Sequence, residues 1–154
     1  MIKVLLLDFS RVLLHPKDKS YQGGLNDLHK KLSRDSSYKI FDHFELNEEL
    51  IKFLSKLRER FYLCIFTTEL IQEDPAIQEK IKPIFDKVYS AKYLGFGKTN
   101  SKSYKLILKD LKALPEEVFF IDDTMENLKA AQQAGLQAYK YSSNQEVFQL
   151  IERL

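Results

Sequence analysis

Apolar residues fall into two rhythms along this chain. Short runs dense in β-branched and aromatic residues, at Ile2 to Asp8, Tyr62 to Thr67, Lys87 to Ser90, Val118 to Asp122 and Gln137 to Tyr141, predict five strands. Between them apolar positions recur at helical spacing. Asn47 suits the N-cap of a helix that carries Leu50, Ile51, Leu54 and Leu57 on one face and ends around Arg60. A second helix from about Ser101 turns Tyr104, Ile107, Leu108 and Leu111 inward and stops before Pro115, because proline disfavours the helical conformation of its predecessor. A third runs from about Thr124 to Ala134 and ends at Gly135, a residue that enters the left-handed region without a Cβ clash. Strands alternating with helices predict an α/β fold, a doubly wound, mainly parallel five-stranded sheet in one domain spanning residues 1–154.

The rhythm lapses between His15 and Leu46, where lysine, serine and the pair Gly23 and Gly24 leave only one short helix, from about Leu25 to Leu32. An excursion after the first strand lies over the C-terminal edge of the sheet, so residues 15–46 are expected to form a small cap. Tyr38, Phe41 and Phe44 have helical spacing and are expected to pack this insertion on the core; the glycine pair is expected to form a plain turn.

Composition narrows the setting. At 154 residues and 44% apolar content, one hydrophobic core is sustainable. The 24 basic and 22 acidic residues are dispersed, so no strong field for nucleic acid or for a membrane surface arises; Lys102, Lys105, Lys109 and Lys112 are expected to be the solvated face of their helix. Cys64, the only cysteine, sits in an apolar run, which fits a buried thiol in a reducing, cytoplasmic setting. The N-terminal apolar stretch is broken by Lys3 and Asp8 and is too short to span a membrane. A monomer or weak homodimer is expected.

Two of the strand-like runs deliver carboxylates at their ends: Asp8 after the first, Asp122 and Asp123 after the fourth. In an open parallel sheet those ends line one crevice, and three acids converging there repel unless a cation lies among them. An oxygen-only cluster suits Mg²⁺. A shared ion requires Asp8 to lie within about 8 Å of the acidic pair.

These residues resemble the haloacid dehalogenase-like (HAD) superfamily of Mg²⁺-dependent phosphatases and related phosphoryl-transfer enzymes, whose motifs occur here in the family's order. LLLDFSRVL matches the first, an Asp closing the first strand; CIFTT the second, a Thr or Ser closing the second strand; GFGKTNSKSY the third, a lysine after a loop; FFIDDTMENLKAAQQAG the fourth, an acidic pair. The resemblance spans nearly the whole chain except the insertion and implies a Rossmann-like core with a reduced cap. It implies that Asp8 is a nucleophile forming an aspartyl phosphate that water then hydrolyses. Mg²⁺ would lie among Asp8, the Ser10 carbonyl, Asp122 and Asp123, while Thr67 and adjacent backbone N–H groups bind a phosphoryl oxygen and Lys98 neutralises the remaining charge. Thr68 competes with Thr67 for the phosphate-binding role, and Asn127 is expected to hydrogen-bond to the acidic loop. The implied reaction is Mg²⁺-dependent phosphohydrolysis of a small phosphorylated metabolite.

The first motif departs from the pattern. Phosphatases of this family mostly carry DxD, whose second Asp protonates the leaving oxygen and then activates water; Ser10 stands there and cannot act as a base, although its carbonyl still serves a metal. Arg11 follows where glycine is usual. DFSRVL looks closest to a branch whose motif reads DxGNV, regarded as phosphatases of sugar phosphates and similar small molecules. A replacement proton donor is expected in His15, with His29 and His43 behind it, and Arg11 is expected either to contact phosphate or to pair with an acid. A catalytically impaired HAD-like binding or regulatory domain remains the alternative. A response-regulator-type phosphoacceptor is disfavoured because its acidic pair follows the first strand, and hydrolytic dehalogenation because it does not need the metal that the acidic pair implies.

Overall fold

Strand β1 (Val4–Leu7) is buried at all four positions, with Val4 and Leu6 in one apolar cluster and Leu5 and Leu7 in another. A strand covered on both faces belongs at the centre of a parallel sheet. The computed structural model, which describes residues 1–154, places it there. With β4 (Tyr62–Thr67), β5 (Lys87–Ser90), β6 (Val118–Asp122) and β7 (Gln137–Lys140) it forms one sheet in the order β5-β4-β1-β6-β7, every pairing parallel.

One face of the sheet packs under α3 (Glu48–Ser55), α4 (Pro75–Ile81) and α8 (Asn144–Glu152), whose Leu50, Leu54, Ile77, Ile81, Val147 and Ile151 meet Leu5, Leu7, Ile65 and Ile121. The other packs under α6 (Ser101–Leu111) and α7 (Met125–Gln133), where Tyr104, Ile107, Leu128 and Ala131 meet Leu6, Phe66 and Phe120. A short helix, α5 (Ala91–Leu94), ends at Gly95 with φ of 78° and leads toward α6. The fold is therefore the expected doubly wound α/β sheet, with a crevice at the C-terminal ends of β1, β4 and β6. Cys64 is buried on the α6/α7 face, and burial pushes its thiol up to about 12. No helix is long and apolar enough to cross a membrane.

The predicted boundaries hold closely for β4, β5, β6 and α6; α3 ends at Ser55 instead of near Arg60, and β1 begins at Val4 instead of Ile2. Gly135 has φ of 92°, and a Cβ there would stand 2.9 Å from the Pro115 ring, so both conformation and space require glycine. Lys102, Lys105 and Lys109 lie on the exposed side of α6, and Lys112 caps its end in the left-handed conformation.

The segment between β1 and α3 is more ordered than its sequence suggests. β2 (Leu14–Pro16) and β3 (Phe44–Leu46) pair antiparallel, in the register Leu14↔Leu46, His15↔Glu45 and Pro16↔Phe44. Between them lie α1 (Leu25–Leu32), as expected, and the single turn α2 (Ile40–His43). Strands of three residues are too short for periodicity to register. The aromatic set does pack inward, Phe44 fully buried and Tyr38 and Phe41 half-buried against the core, but it does so from a loop, a turn and a strand and not from one helix.

Asn47 caps α3 and does more. Its side-chain oxygen accepts from the Leu50 N–H at 3.3 Å and from Asn144 Nδ2 at 2.9 Å, while its own Nδ2 donates to the Val12 carbonyl at 2.9 Å. It thus joins α3, α8 and the loop after β1. Asn47→Ala is expected to lower the unfolding free energy by about 2 kcal/mol, the loss of a cap plus a half-buried hydrogen bond. Urea denaturation with an unchanged m-value checks this.

Candidate active site

Side chains alternate along a strand, so a residue two beyond an inward-facing position shares its face. Leu6 and Phe120 face α6 and α7; the same parity carries Asp8, just past β1, and Asp122, the last residue of β6, to that side of the crevice. The Asp8 N–H donates to the Ile121 carbonyl at 2.9 Å, which extends the β1–β6 ladder to this point. Lys98, in the loop between α5 and α6, enters from the same side. Its Nζ lies 2.6 Å from Asp8 Oδ1 and 2.6 Å from Asp122 Oδ2, and all three residues are buried.

An aromatic floor supports this lysine. The Phe66 and Phe120 rings lie 5.3 and 5.6 Å from Nζ, and Tyr104 packs edge-on against both rings. The Tyr104 hydroxyl lies 2.8 Å from the Lys98 carbonyl and 3.0 Å from the Asn127 carbonyl, tying the lysine loop to α7. Asp122 is fully engaged: it accepts from the Thr124 N–H at 2.8 Å, from Asn127 Nδ2 at 3.1 Å and from Lys98. The expected bond from Asn127 to the acidic loop is therefore present.

Asp8 is held differently. Its Oδ1 accepts from the Phe9 N–H at 2.7 Å and from Lys98, leaving Oδ2 without a protein donor. Burial raises its pKa, Lys98 opposes, and the Asp122 and Asp123 carboxylates add to burial, so the carboxyl is pushed up to about 7. Burial alone would lower the Lys98 ammonium, but its two carboxylate neighbours outweigh that effect and hold it above the usual lysine value. One cation is thus permanently present among three acids.

Ligand oxygens of Asp8, Asp122 and Asp123 lie within 4.8 Å of one another, inside the span a shared ion needs. Ser10 lines the same cavity, and its Oγ is buried without a partner. Carboxylate and carbonyl oxygens without nitrogen or sulfur form a hard donor set, and a single ammonium leaves the cluster short of positive charge, so the residues fit Mg²⁺.

The site opens into a cavity of 290 Å³ bordered by the sheet ends, by the turn after β4 and by the start of α1. Asp8, Ser10, Arg11, Lys98, Asp123 and Asn127 line it, together with Asn26 and Asp27 from α1. Thr68 and Glu69 line the third side, whereas Thr67 is 1% exposed at the end of β4 and stays behind that wall. Leu25 is the single apolar lining residue.

Three expectations are corrected. His15 sits on β2 opposite Glu45 and borders a separate hollow with Lys19 and Asn144, because the hairpin carries it away from Asp8. His29 bonds through Nδ1 to the Tyr38 hydroxyl at 2.9 Å and His43 stacks on the Tyr38 ring, so neither lines the cavity. Arg11 pairs with no acid: its Nη2 donates to the Tyr21 and Gly23 carbonyls at 3.0 and 2.8 Å, while the residue still lines the cavity. Its φ of 64° explains why glycine is usual at this position. The sequence did not disclose the Tyr104 hydroxyl, Asp27 or Glu69. Tyr104 reads as ordinary core, and the two acids sit among polar neighbours with no periodic mark.

Acids at the C-terminal ends of adjacent parallel strands, clasped by a buried lysine beside a polar cavity, define a doubly wound α/β protein with a metal-competent acidic centre. The chain belongs to the haloacid dehalogenase-like hydrolases, whose family model matches residues 8–135. It is 26% identical over 127 residues to the bifunctional epoxide hydrolase 2 of Sus scrofa, a match covering 70% of this chain and 23% of that protein. Three curated relatives, this one among them, are each spanned by the match over less than a quarter of their length. A HAD-family enzyme of Bacteroides thetaiotaomicron in complex with magnesium superposes with a TM-score of 0.71 at 19% identity, covering 97% of this chain and 98% of that one. The same enzyme with magnesium and inorganic phosphate gives a TM-score of 0.67 at 18% identity, covering 92% and 95%.

A ligand that binds only the folded state stabilises it by mass action, by about 2.7 kcal/mol at about 100 times its Kd. Mg²⁺ is therefore expected to raise the melting temperature of this protein in a concentration-dependent manner. Asp123→Asn is expected to weaken that shift at least tenfold in Mg²⁺ concentration, as read by thermal unfolding.

Proposed function

We propose that this protein is a Mg²⁺-dependent phosphohydrolase that cleaves a small phosphorylated metabolite through an aspartyl phosphate on Asp8. The observation that carries this is the asymmetry of the Asp8 carboxylate: Oδ1 is tied by Phe9 N–H and Lys98, while Oδ2 has no protein donor. A nucleophile must be held yet keep a reactive oxygen free. Bound at Asp8, Asp123 and the Ser10 carbonyl, with Asp122 behind, Mg²⁺ would supply charge neutralisation for an incoming phosphoryl group.

The residues divide the remaining work. Asp8 attacks phosphorus as the ester oxygen leaves, and water then attacks the phosphorus of the aspartyl phosphate, releasing inorganic phosphate and restoring the carboxylate. Lys98, kept cationic by Asp8 and Asp122, faces the negative charge that accumulates on the phosphoryl oxygens. Thr68 and the adjoining backbone N–H groups form the phosphate-binding side on the cavity wall, with Thr67 buried behind them. A cavity of 290 Å³ stands at the low end of small-molecule sites and has a single apolar lining residue, which favours a compact, polar substrate. The magnesium and phosphate complexes of the Bacteroides enzyme support this assignment. The acidic pair favours attack on phosphorus over dehalogenation at carbon, which does not need the metal that such a pair implies.

Phosphate release across a panel of sugar, polyol, acyl and aryl phosphates is expected with Mg²⁺ and to be lost on chelation. Asp8→Asn is expected to reduce it to the buffer rate while leaving thermal unfolding cooperative, and acid-quenched wild-type protein is expected to carry one phosphoryl group by intact mass. Turnover retained in Asp8→Asn would sink the assignment, and a folded, Mg²⁺-binding chain that releases no phosphate would favour the regulatory-domain alternative.

A further inference from the structure

Ser10 stands where the first motif of phosphatases in this family mostly has a proton-moving carboxylate, and the cavity offers other carboxylates. Four carboxylates line the space: Asp8, Asp123, Glu69 and Asp27. Asp8 is the proposed nucleophile and Asp123 belongs to the metal cluster. Glu69 is paired with Lys30 across the α1 boundary. Asp27 has neither an ion pair nor a side-chain hydrogen bond of its own, and no histidine lines the cavity.

Asp27 is also placed. It is the third residue of α1, and its carboxylate folds back over the start of that helix, so that a Cβ on Gly24 would stand 3.0 Å from its Oδ2. Gly24 lines the same cavity. The preceding residue is anchored, since Asn26 Oδ1 accepts the Ile71 N–H at 3.1 Å, and Leu25 before it is buried at 2% exposure. An exposed carboxylate on an anchored backbone, without a partner of its own and lining the same cavity as Asp8, is available to carry a proton there.

We propose that Asp27, supplied by the insertion, is the general acid and base of the reaction; this rests on the phosphohydrolase assignment above. In the first step the Asp8–phosphorus bond forms, the phosphorus–ester oxygen bond breaks, and the Asp27 carboxyl proton passes to the departing oxygen, giving the alcohol. In the second, Asp27 carboxylate takes a proton from the attacking water as the new phosphorus–oxygen bond forms and the Asp8–phosphorus bond breaks. Inorganic phosphate leaves and Asp27 is again protonated for the next cycle.

Asp27→Asn distinguishes this from simple substrate anchoring. With p-nitrophenyl phosphate, whose leaving group needs no proton, phosphoenzyme formation is expected to persist while its hydrolysis slows. A burst of nitrophenolate, a standing phosphoenzyme population and a kcat lowered about 100-fold should follow. With an alkyl phosphate the formation step itself is expected to slow, so no burst appears. Ser10→Asp is expected to raise kcat at least tenfold in the Asp27→Asn background and to change it little with Asp27 present, a dependence on background that a structural role would not give. An unchanged kcat in Asp27→Asn, or a loss confined to KM with no dependence on the leaving group, would overturn the proposal. Absence of turnover in the wild-type chain, or turnover in Asp8→Asn, would instead overturn the phosphohydrolase assignment, and Asp27 with it.

Discussion

Two carboxylates can be buried at the ends of neighbouring parallel strands here because one ammonium lies between them. Breaking such a pair by removing one partner is commonly worth about 3–5 kcal/mol, since it strands a charge out of water. Lys98 has no freedom to leave. Gly95 turns the chain out of α5 with φ of 78°, Asn100 caps α6 by accepting the Lys102 N–H at 3.0 Å, and Tyr104 grips the Lys98 carbonyl from the next turn. Below Nζ lie two aromatic faces, which attract a cation without neutralising it. The floor, the loop and the strand ends form one unit built around a single positive charge.

That unit is under-compensated. Three acids meet one lysine, and the raised pKa of Asp8 is the direct expression of the imbalance: burial and two acidic neighbours together outweigh the ion pair with Lys98. A divalent ion held among these oxygens would relieve it. The same imbalance divides roles between the acids. Asp122, saturated by Thr124, Asn127 and Lys98, anchors the loop, while Asp8 and Asp123 retain oxygens that face the cavity.

The strength of this centre explains what was legible in the sequence. Asp8 and Asp122 each close an apolar run, and strand parity fixes the face on which they emerge, so their convergence follows from pattern and topology. Lys98 was legible through its motif. The insertion was not: its strands have three residues each, Arg11 adopts a positive φ that nothing in its side chain advertises, and His15, close to Asp8 in sequence, is turned away by hairpin register. Sequence proximity misled where tertiary register decided. Asp27, distant in sequence from every motif, reaches the cavity because α1 folds over the sheet end.

The insertion is therefore wall and not loose cover, and the magnitudes say which contacts make it so. The Lys30–Glu69 pair is half exposed and, like most surface ion pairs, contributes under about 1 kcal/mol. Burial matters more: Leu25, Ile40 and Phe44 join the same apolar cluster as Leu5 and Leu7, and each fully buried side chain of this size is worth about 1.5–3 kcal/mol. Arg11 then fixes the loop at Tyr21 and Gly23, and Asn26 fixes α1 at Ile71. A wall held this way brings Asn26 and Asp27 to the same cavity that Asp8 lines, so side chains of the insertion share the space in front of the acidic centre.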